Sequence, residues 1–360
     1  MGLSEEIRGS YLRNLGRCSR GLVRRLPSQS VAGFYSNFWR DDRICDLGLK
    51  IEGSQVEKFV QQLYRELEQK KIAKFRPGVY LTDEWGCPSG EPVIGIPFYL
   101  ARADLGQIEK ENNDLESDRE VMMYLRHEAG HAFNYAYRLH QTAEWKQLFG
   151  PYRRPYRENY RPVLFSKDYV RYLPGWYAQK HPDEDFAETF AVWMTPRSGW
   201  RKKYRGWGAM VKLQYMDRIA RELGQADPQR KRGSPDITVT DMEMTVAEFY
   251  RNSTEQIPML EVTQDSDLAI IFNASKKRKA SASVGPFLQK NRKVLVDQIS
   301  SWTAMPRSQV RRLMESVEKR SSEMGLLIDT KRETEHLAQI TVFVTTLVMN
   351  HLARGRSFQA

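Results

Sequence analysis

His127-Glu128-Ala129-Gly130-His131 is the only place in the chain where two of its six histidines stand four residues apart. On an α-helix that separation carries a side chain one turn along and only about 40° round, onto nearly the same face. Two imidazoles so placed can close on one metal ion, and Glu128 stands beside the first of them, near enough to act on a water held there. The H-E-x-x-H spacing therefore points to two zinc ligands and a general base for hydrolysis. The same pentapeptide also fits a helix that binds nothing, so the reading needs a third ligand and a suitable local context.

The context begins with Ser117-Asp118-Arg119-Glu120, a capping box that starts a helix. That helix is expected to run to about Arg138 with Val121, Leu125, Ala129, Ala132 and Ala136 on its packed side. Small alanines beside the histidines let another element approach closely. Gly130 costs such a helix about 1 kcal/mol relative to alanine, which suggests a packing or access requirement next to the metal. Upstream, residues 44–51 alternate in part and predict a strand. Residues 55–71 carry a helical stripe of Val56, Phe59, Val60, Leu63, Tyr64 and Leu67. Residues 79–82 and 93–100 read as strands of a small antiparallel sheet, joined through the turn Gly86-Cys87-Pro88-Ser89-Gly90. Pro92 and Pro97 mark the second as an edge or bulged strand. The fold class is α+β.

After an irregular stretch rich in Arg, Tyr and Pro comes Pro182-Asp183-Glu184-Asp185-Phe186-Ala187-Glu188. Pro182 suits a first helical position and the acidic first turn suits the helix dipole. Phe186, Phe190 and Met194 form an apolar stripe. Glu184 and Glu188, four apart, share a face: one carboxylate can bind a metal and the other can orient a ligand by accepting its second ring N–H. Asp183 and Asp185 are further possible oxygen ligands. A solvated acidic helix start would look similar. What favours a site is the coincidence of two helices, each with ligand-type residues at i and i+4.

On these residues the chain resembles a gluzincin-type zinc metallopeptidase, in which H-E-x-x-H is completed by a glutamate on a later helix in the pattern E-x-x-x-[D/E]. The resemblance implies that His127, His131 and Glu184 bind one Zn²⁺ per chain and that Glu188 orients a histidine. The stretch EDFAETF at 184–190 is similar to the E-F-F-A-E-A-F-like segment of the anthrax lethal factor and Pro-Pro endopeptidase group. That likeness implies a catalytic tyrosine at Tyr177, seven residues before Glu184, whose phenol can donate to the developing oxyanion. With WYAQKHPDEDFAETFA at 176–191, residues 127–190 most closely resemble a bacterial family known only as zinc-binding metallopeptidases. The likeness reaches from about Cys45 to about Leu223 and is strong over the two motif helices. It implies a zincin-like catalytic domain, Glu128 as general base, and cleavage of peptide, isopeptide or amide bonds. An edge strand at 92–100 would hold the substrate by strand addition. A metzincin would need a histidine six residues after His131, where Tyr137 stands. His140 falls about 180° round the helix from His131, and His181 reads as a loop residue near the cleft.

The rest of the chain bounds the setting. At 360 residues, 41% hydrophobic and 28% charged, it suits a soluble protein of two or more domains. We divide it into a basic arm at 1–35, a metallopeptidase domain at 36–225, a boundary and linker at 226–284, and a helical C-terminal domain at 285–360. The net charge of +11 attracts acidic peptides, nucleic acid or anionic membranes without choosing among them. Cys18, Cys45 and Cys87 form no CxxC pair and suit a reducing compartment. The first 30 residues lack the apolar core of a secretory signal, although their arginines would suit an organellar presequence; Glu5 and Glu6 count against one. The apolar run at 337–349 is too short to span a bilayer. The expected location is cytoplasmic and the expected partner a peptide or protein substrate, acidic ones included. The basic run KKRKASA at 276–282 reads as a linker, and the Arg/Tyr stretch at 151–157 as a surface loop. Two other readings compete: a zincin-fold binding or regulatory protein without turnover, which has no chemical need of Glu128, and a basic nucleic-acid-associated protein, for which the sequence shows no recognisable module.

Overall fold

The computed structural model describes residues 38–113, 115–156, 160, 162–255, 262–272 and 280–354. The basic arm, Cys18 and residues 276–279 of the basic run lie outside them. The fold is mostly helical with small sheets, consistent with the α+β class.

Helix α1 (Gln55–Gln69) buries Val56, Phe59, Val60, Leu63 and Leu67 along one face, as their spacing predicts. Tyr64 stays half-buried and donates its hydroxyl to the Pro77 carbonyl at 2.7 Å. Strands β1 (Gly78–Thr82) and β2 (Val93–Pro97) pair in parallel, from Gly78 opposite Val93 to Thr82 opposite Pro97. This corrects the antiparallel sheet expected from the short Gly/Pro turn. Residues 83–92 do not reverse at once. They run along the far edge of β2, where Gly86 and Gly95 exchange main-chain hydrogen bonds at 3.3 and 2.7 Å. Beyond Pro97, which has no N–H to pair, the chain winds into a 3₁₀ turn at Phe98–Ala101. The strand expected at 44–51 is also absent. Ile44–Asp46 is a 3₁₀ turn whose amides bind the carbonyls of Met244 and Met242, with Ile44 as a single buried anchor.

Helices α2 (Ala103–Asn113) and α3 (Asp118–Ala136) follow. The capping box of α3 is complete: Ser117 Oγ accepts from the Glu120 amide and Glu120 accepts from the Ser117 amide. Val121, Leu125, Ala129, Ala132 and Ala136 are all buried. Arg126 on α3 binds Glu66 of α1 through two hydrogen bonds of 2.7 and 2.8 Å, fixing one helix on the other. The helix stops earlier than predicted, because Arg138 turns left-handed at φ 52°. His140 therefore sits in the separate turn Leu139–Gln141 and not on the back of α3.

Helix α4 (Ala143–Phe149) leads to α5 (Pro182–Met194), whose 13 residues are all buried. A helix covered on every side is a core element; the sequence stripe of Phe186, Phe190 and Met194 shows only one of its faces. Helices α6 (Trp200–Lys203), α7 (Met210–Leu223) and α8 (Val246–Glu255) complete this apolar core, which extends to Tyr250.

A second buried cluster gathers α9 (Asp265–Ile271), α10 (Val284–Thr303), α11 (Arg307–Glu323) and α12 (Glu333–Arg354) around Leu295, Ile299, Val310, Leu313 and Val344. Short strands β3 (Ser281–Ser283) and β4 (Leu327–Asp329) pair antiparallel beside it. Val294 and Trp302 on α10 are 56% and 53% exposed. Both ring nitrogens of buried His336 serve main-chain groups of Ile271 and Asp329. Lys293 and Arg307 each reach Glu120 at 3.1 Å, so the C-terminal helices bear on the start of α3. No described helix is long and apolar enough to cross a membrane.

Candidate metal centre

Helices α3 and α5 cross with almost nothing between them at Gly130. A Cβ on Gly130 would lie 2.8 Å from Ala187 Cα and 3.0 Å from the Ala187 carbonyl oxygen. Both are backbone atoms that cannot swing aside. The sequence expectation of a packing requirement at this glycine is met. We expect Gly130→Ala to cost about 1–3 kcal/mol through overpacking, more than the ~1 kcal/mol it gains in helix propensity. A urea unfolding midpoint at or above that of the wild type would show slack between the helices.

This close approach brings His127, His131 and Glu184 into one buried group. His127 Nε2 lies 2.9 Å from Glu184 Oε2 and 3.2 Å from His131 Nε2; His131 Nε2 lies 3.3 Å from the same oxygen. The opposite ring nitrogens face carboxylates. His127 Nδ1 is 3.2 Å from Glu188 Oε1, and His131 Nδ1 is 2.9 Å from Asp183 Oδ2. With Nδ1–H donating to those acceptors, both Nε2 atoms present lone pairs to each other and to a carboxylate oxygen. Three lone-pair donors at these separations repel one another unless positive charge lies among them. Their spacing is also the ligand edge of a tetrahedral zinc site, about 3.3 Å for bonds near 2.0–2.1 Å. The donor set therefore fits the metal that the sequence pattern implies.

The surrounding electrostatics favour the same occupant. Burial works against a charged His127, but the bonds to Glu184 and Glu188 overcome it and raise the imidazole to about 9. Burial likewise opposes ionised Glu184 and Asp183, yet His131 and the hydrogen bonds hold both carboxyls near 2. Such a pocket is built to keep a cation at the Nε2 atoms.

Glu188 is fixed from its other side by the amides of Tyr172 and Leu173 at 3.0 and 3.1 Å. Glu128 is buried, and burial raises its carboxyl above the usual range. Tyr177 opens the 3₁₀ turn Tyr177–Gln179, its ring centroid 5.7 Å from that of His127. Burial and the charge of Glu128 keep its phenol protonated. Gly175 and Trp176 just before it both adopt positive φ, 81° and 60°. That strained turn aims the tyrosine at the histidines, and strain of this kind collects at functional sites.

Asp183 is a residue the sequence reading left without its role. Besides His131 it accepts from Asn134 Nδ2 at 2.7 Å and from the Tyr135 hydroxyl. The signal was available: each ligating imidazole needs an acceptor for its second N–H, and Glu188 could serve only one. We expect Asp183→Asn to weaken zinc binding about ten- to a hundredfold, read by competition with a chelator of known affinity. An unchanged affinity would remove Asp183 from the site.

Other candidates fall outside the cluster. Asp185 is no ligand: its Oδ2 binds the buried Lys212 ammonium at 2.6 Å, and burial pushes its carboxyl up to about 7. His140 packs on the Tyr152 ring at 4.4 Å. His181 caps α5, accepting from the Asp183 amide at 3.1 Å while its Nε2 donates to the Arg154 carbonyl. Residues 92–100 do not offer the free strand edge expected for a substrate, because Gly86 occupies Gly95. Gly86 is the residue that lies on the outer side of Gly95. Burial and the charges of Glu128 and Asp183 push the Cys87 thiol up, which places this segment beside the centre.

Residues 90–227 match a sequence family described as "Putative zinc-binding metallo-peptidase". The match runs from the approach to β2 through the end of α7 and includes every residue of the cluster. No curated protein and no solved structure matches the chain. Family and cluster together indicate a zinc-dependent peptidase.

Proposed function

We propose that the protein hydrolyses peptide or closely related amide bonds at this centre, in the manner of a gluzincin. The observation that carries the reading is the convergence of His127 Nε2, His131 Nε2 and Glu184 Oε2 within 2.9–3.3 Å of one another, with both Nδ1 atoms held by carboxylates. His127, His131 and Glu184 would hold one zinc ion per chain. Zinc so held supplies a Lewis acid and lowers the pKa of a water towards ~7.

The protein's own groups divide the remaining work. Glu128 takes the proton of the attacking water and returns it to the leaving amine; its raised pKa suits a group that must hold a proton in between. Tyr177 donates its phenol to the substrate carbonyl oxygen as that oxygen gains charge. Glu188 and Asp183 keep the imidazoles turned with Nε2 inward. A peptide lying along residues 84–87 would pass between them and Tyr177. We take the described residues of 36–225 as the catalytic unit, with residues 239–250 added because they join the same apolar core, and the described residues of 285–354 as a helical unit resting on it.

The test is hydrolysis of a random-sequence peptide mixture, followed by mass spectrometry. Cleavage should stop with a chelator and return with one equivalent of zinc. Absence of cleavage by zinc-loaded protein would overturn the proposal.

A further inference from the structure

Arg171 lies two residues before the amide of Leu173 that clamps Glu188, and its guanidinium is held among aromatic rings. The guanidinium carbon is 3.7 Å from the Trp176 ring centroid, 5.6 Å from that of Trp207 and 5.8 Å from that of Phe165. Its main-chain N–H and C=O are both taken by the Tyr204 hydroxyl. The side chain is different: among the described residues it forms no ion pair and no hydrogen bond, and its Nε is buried without an acceptor. The indole Nε1 of Trp176, buried in the same stack, also lacks an acceptor. Buried donors left unpaired cost about 1–3 kcal/mol each, and native proteins keep few of them.

A second cation lies near this stack. Lys203 stands on the neighbouring turn, and burial together with the positive Arg171 lowers its ammonium below the ordinary range. Burial lowers the Arg171 guanidinium as well. Phe165 is the outermost member of the stack, 62% exposed and at a positive φ of 62°, with its ring 5.5 Å from that of Trp176. The exposed Trp302 of α10 stands 6.4 Å beyond it. A planar, stacked guanidinium with free N–H edges is suited to bidentate recognition of a carboxylate. Trp176 directly precedes Tyr177 in the chain.

We propose that Arg171, stacked on Trp176 and supported by Lys203, forms a specificity subsite for the side-chain carboxylate of an acidic residue in the peptide substrate. Phe165 covers the subsite and moves aside on binding. The inference rests on the peptidase reading for its substrate but not for its chemistry, which is recognition of a carboxylate.

The experiment separates the two. Zinc-loaded Glu128→Gln protein, full length and immobilised, captures peptides from a random-sequence decapeptide mixture, and bound sequences are read by mass spectrometry. Asp and Glu should be enriched among the captured peptides, and at one position relative to the scissile bond where wild-type digests supply one. That enrichment should fall about tenfold in the Arg171→Gln background, as expected for losing a charge-assisted hydrogen bond. Trp176→Phe, which removes the indole N–H and part of the ring on which Arg171 stacks, should cause a smaller fall. Unaltered capture of neutral peptides by Arg171→Gln checks that the fold is intact. No acidic enrichment in the parent protein, or enrichment that survives Arg171→Gln, overturns the subsite. Acidic capture without wild-type cleavage overturns the peptidase reading and leaves the subsite standing. Cleavage without acidic preference does the reverse.

Discussion

Glu128→Gln should keep about one zinc per chain and lose peptide hydrolysis by roughly 10²–10⁴-fold, the contribution typical of a positioned general base. The substitution is nearly isosteric, so the packing of α3 is preserved. Glu128 is buried beside two imidazoles whose orientation depends on Glu188 and Asp183 and not on it. Metal affinity should therefore hardly move. The amide cannot accept and return a proton, so the loss should appear in kcat more than in KM. Turnover by Tyr177→Phe should fall less, because one oxyanion donor is lost while Glu128 still carries the proton. Zinc content by elemental mass spectrometry and initial rates on one cleaved peptide make the check. Unchanged turnover in Glu128→Gln would remove the residue from the mechanism and strengthen the reading of a binding protein built on this fold.

What the sequence disclosed about this centre was what local spacing encodes. The pairs His127/His131 and Glu184/Glu188 sit at i and i+4, and helical geometry alone puts each pair on one face. Tyr177 is close in sequence to Glu184 and was reached through resemblance. The sequence signalled that His131 needs an acceptor but did not single out Asp183, because adjacent helical residues point about 100° apart. Asp183 serves His131 from the same helix that supplies Glu184, a fact that only the crossing of α3 and α5 reveals. The parallel pairing of β1 and β2 was illegible for a related reason. A Gly/Pro loop of this length suggests reversal, and nothing in its composition marks the Gly86–Gly95 pairing on the far side of β2. The partial alternation at 44–51 misled because one buried isoleucine and neighbouring half-exposed leucines mimic a strand period. The unpaired donors of Arg171 and Trp176 leave no mark in sequence, since absence of a partner is a property of three-dimensional neighbours.

Glu184→Ala should abolish stoichiometric zinc binding while the wild-type protein holds about one equivalent, and with the metal the variant should lose all hydrolysis. Among the described residues Glu184 is the only carboxylate whose oxygen faces both Nε2 atoms, at 2.9 and 3.3 Å. Its neighbours cannot take its place cheaply. Glu188 uses Oε1 on His127 Nδ1 and both oxygens on the amides of Tyr172 and Leu173. Asp183 is committed to His131, Asn134 and Tyr135. Either would have to abandon buried donors, at about 1–3 kcal/mol for each one stranded. Loss of the metal should also be visible in stability. Zinc binds only the folded arrangement of α3 and α5, so at a free concentration a thousand times Kd it adds about 4 kcal/mol. Chelation should lower the wild-type melting temperature, and Glu184→Ala should respond neither to chelator nor to added zinc. A variant that still holds one zinc would place the third ligand elsewhere and undo the Glu184 assignment. A wild type that takes up no zinc on reconstitution would leave H-E-x-x-H as a structural coincidence on a basic interaction protein.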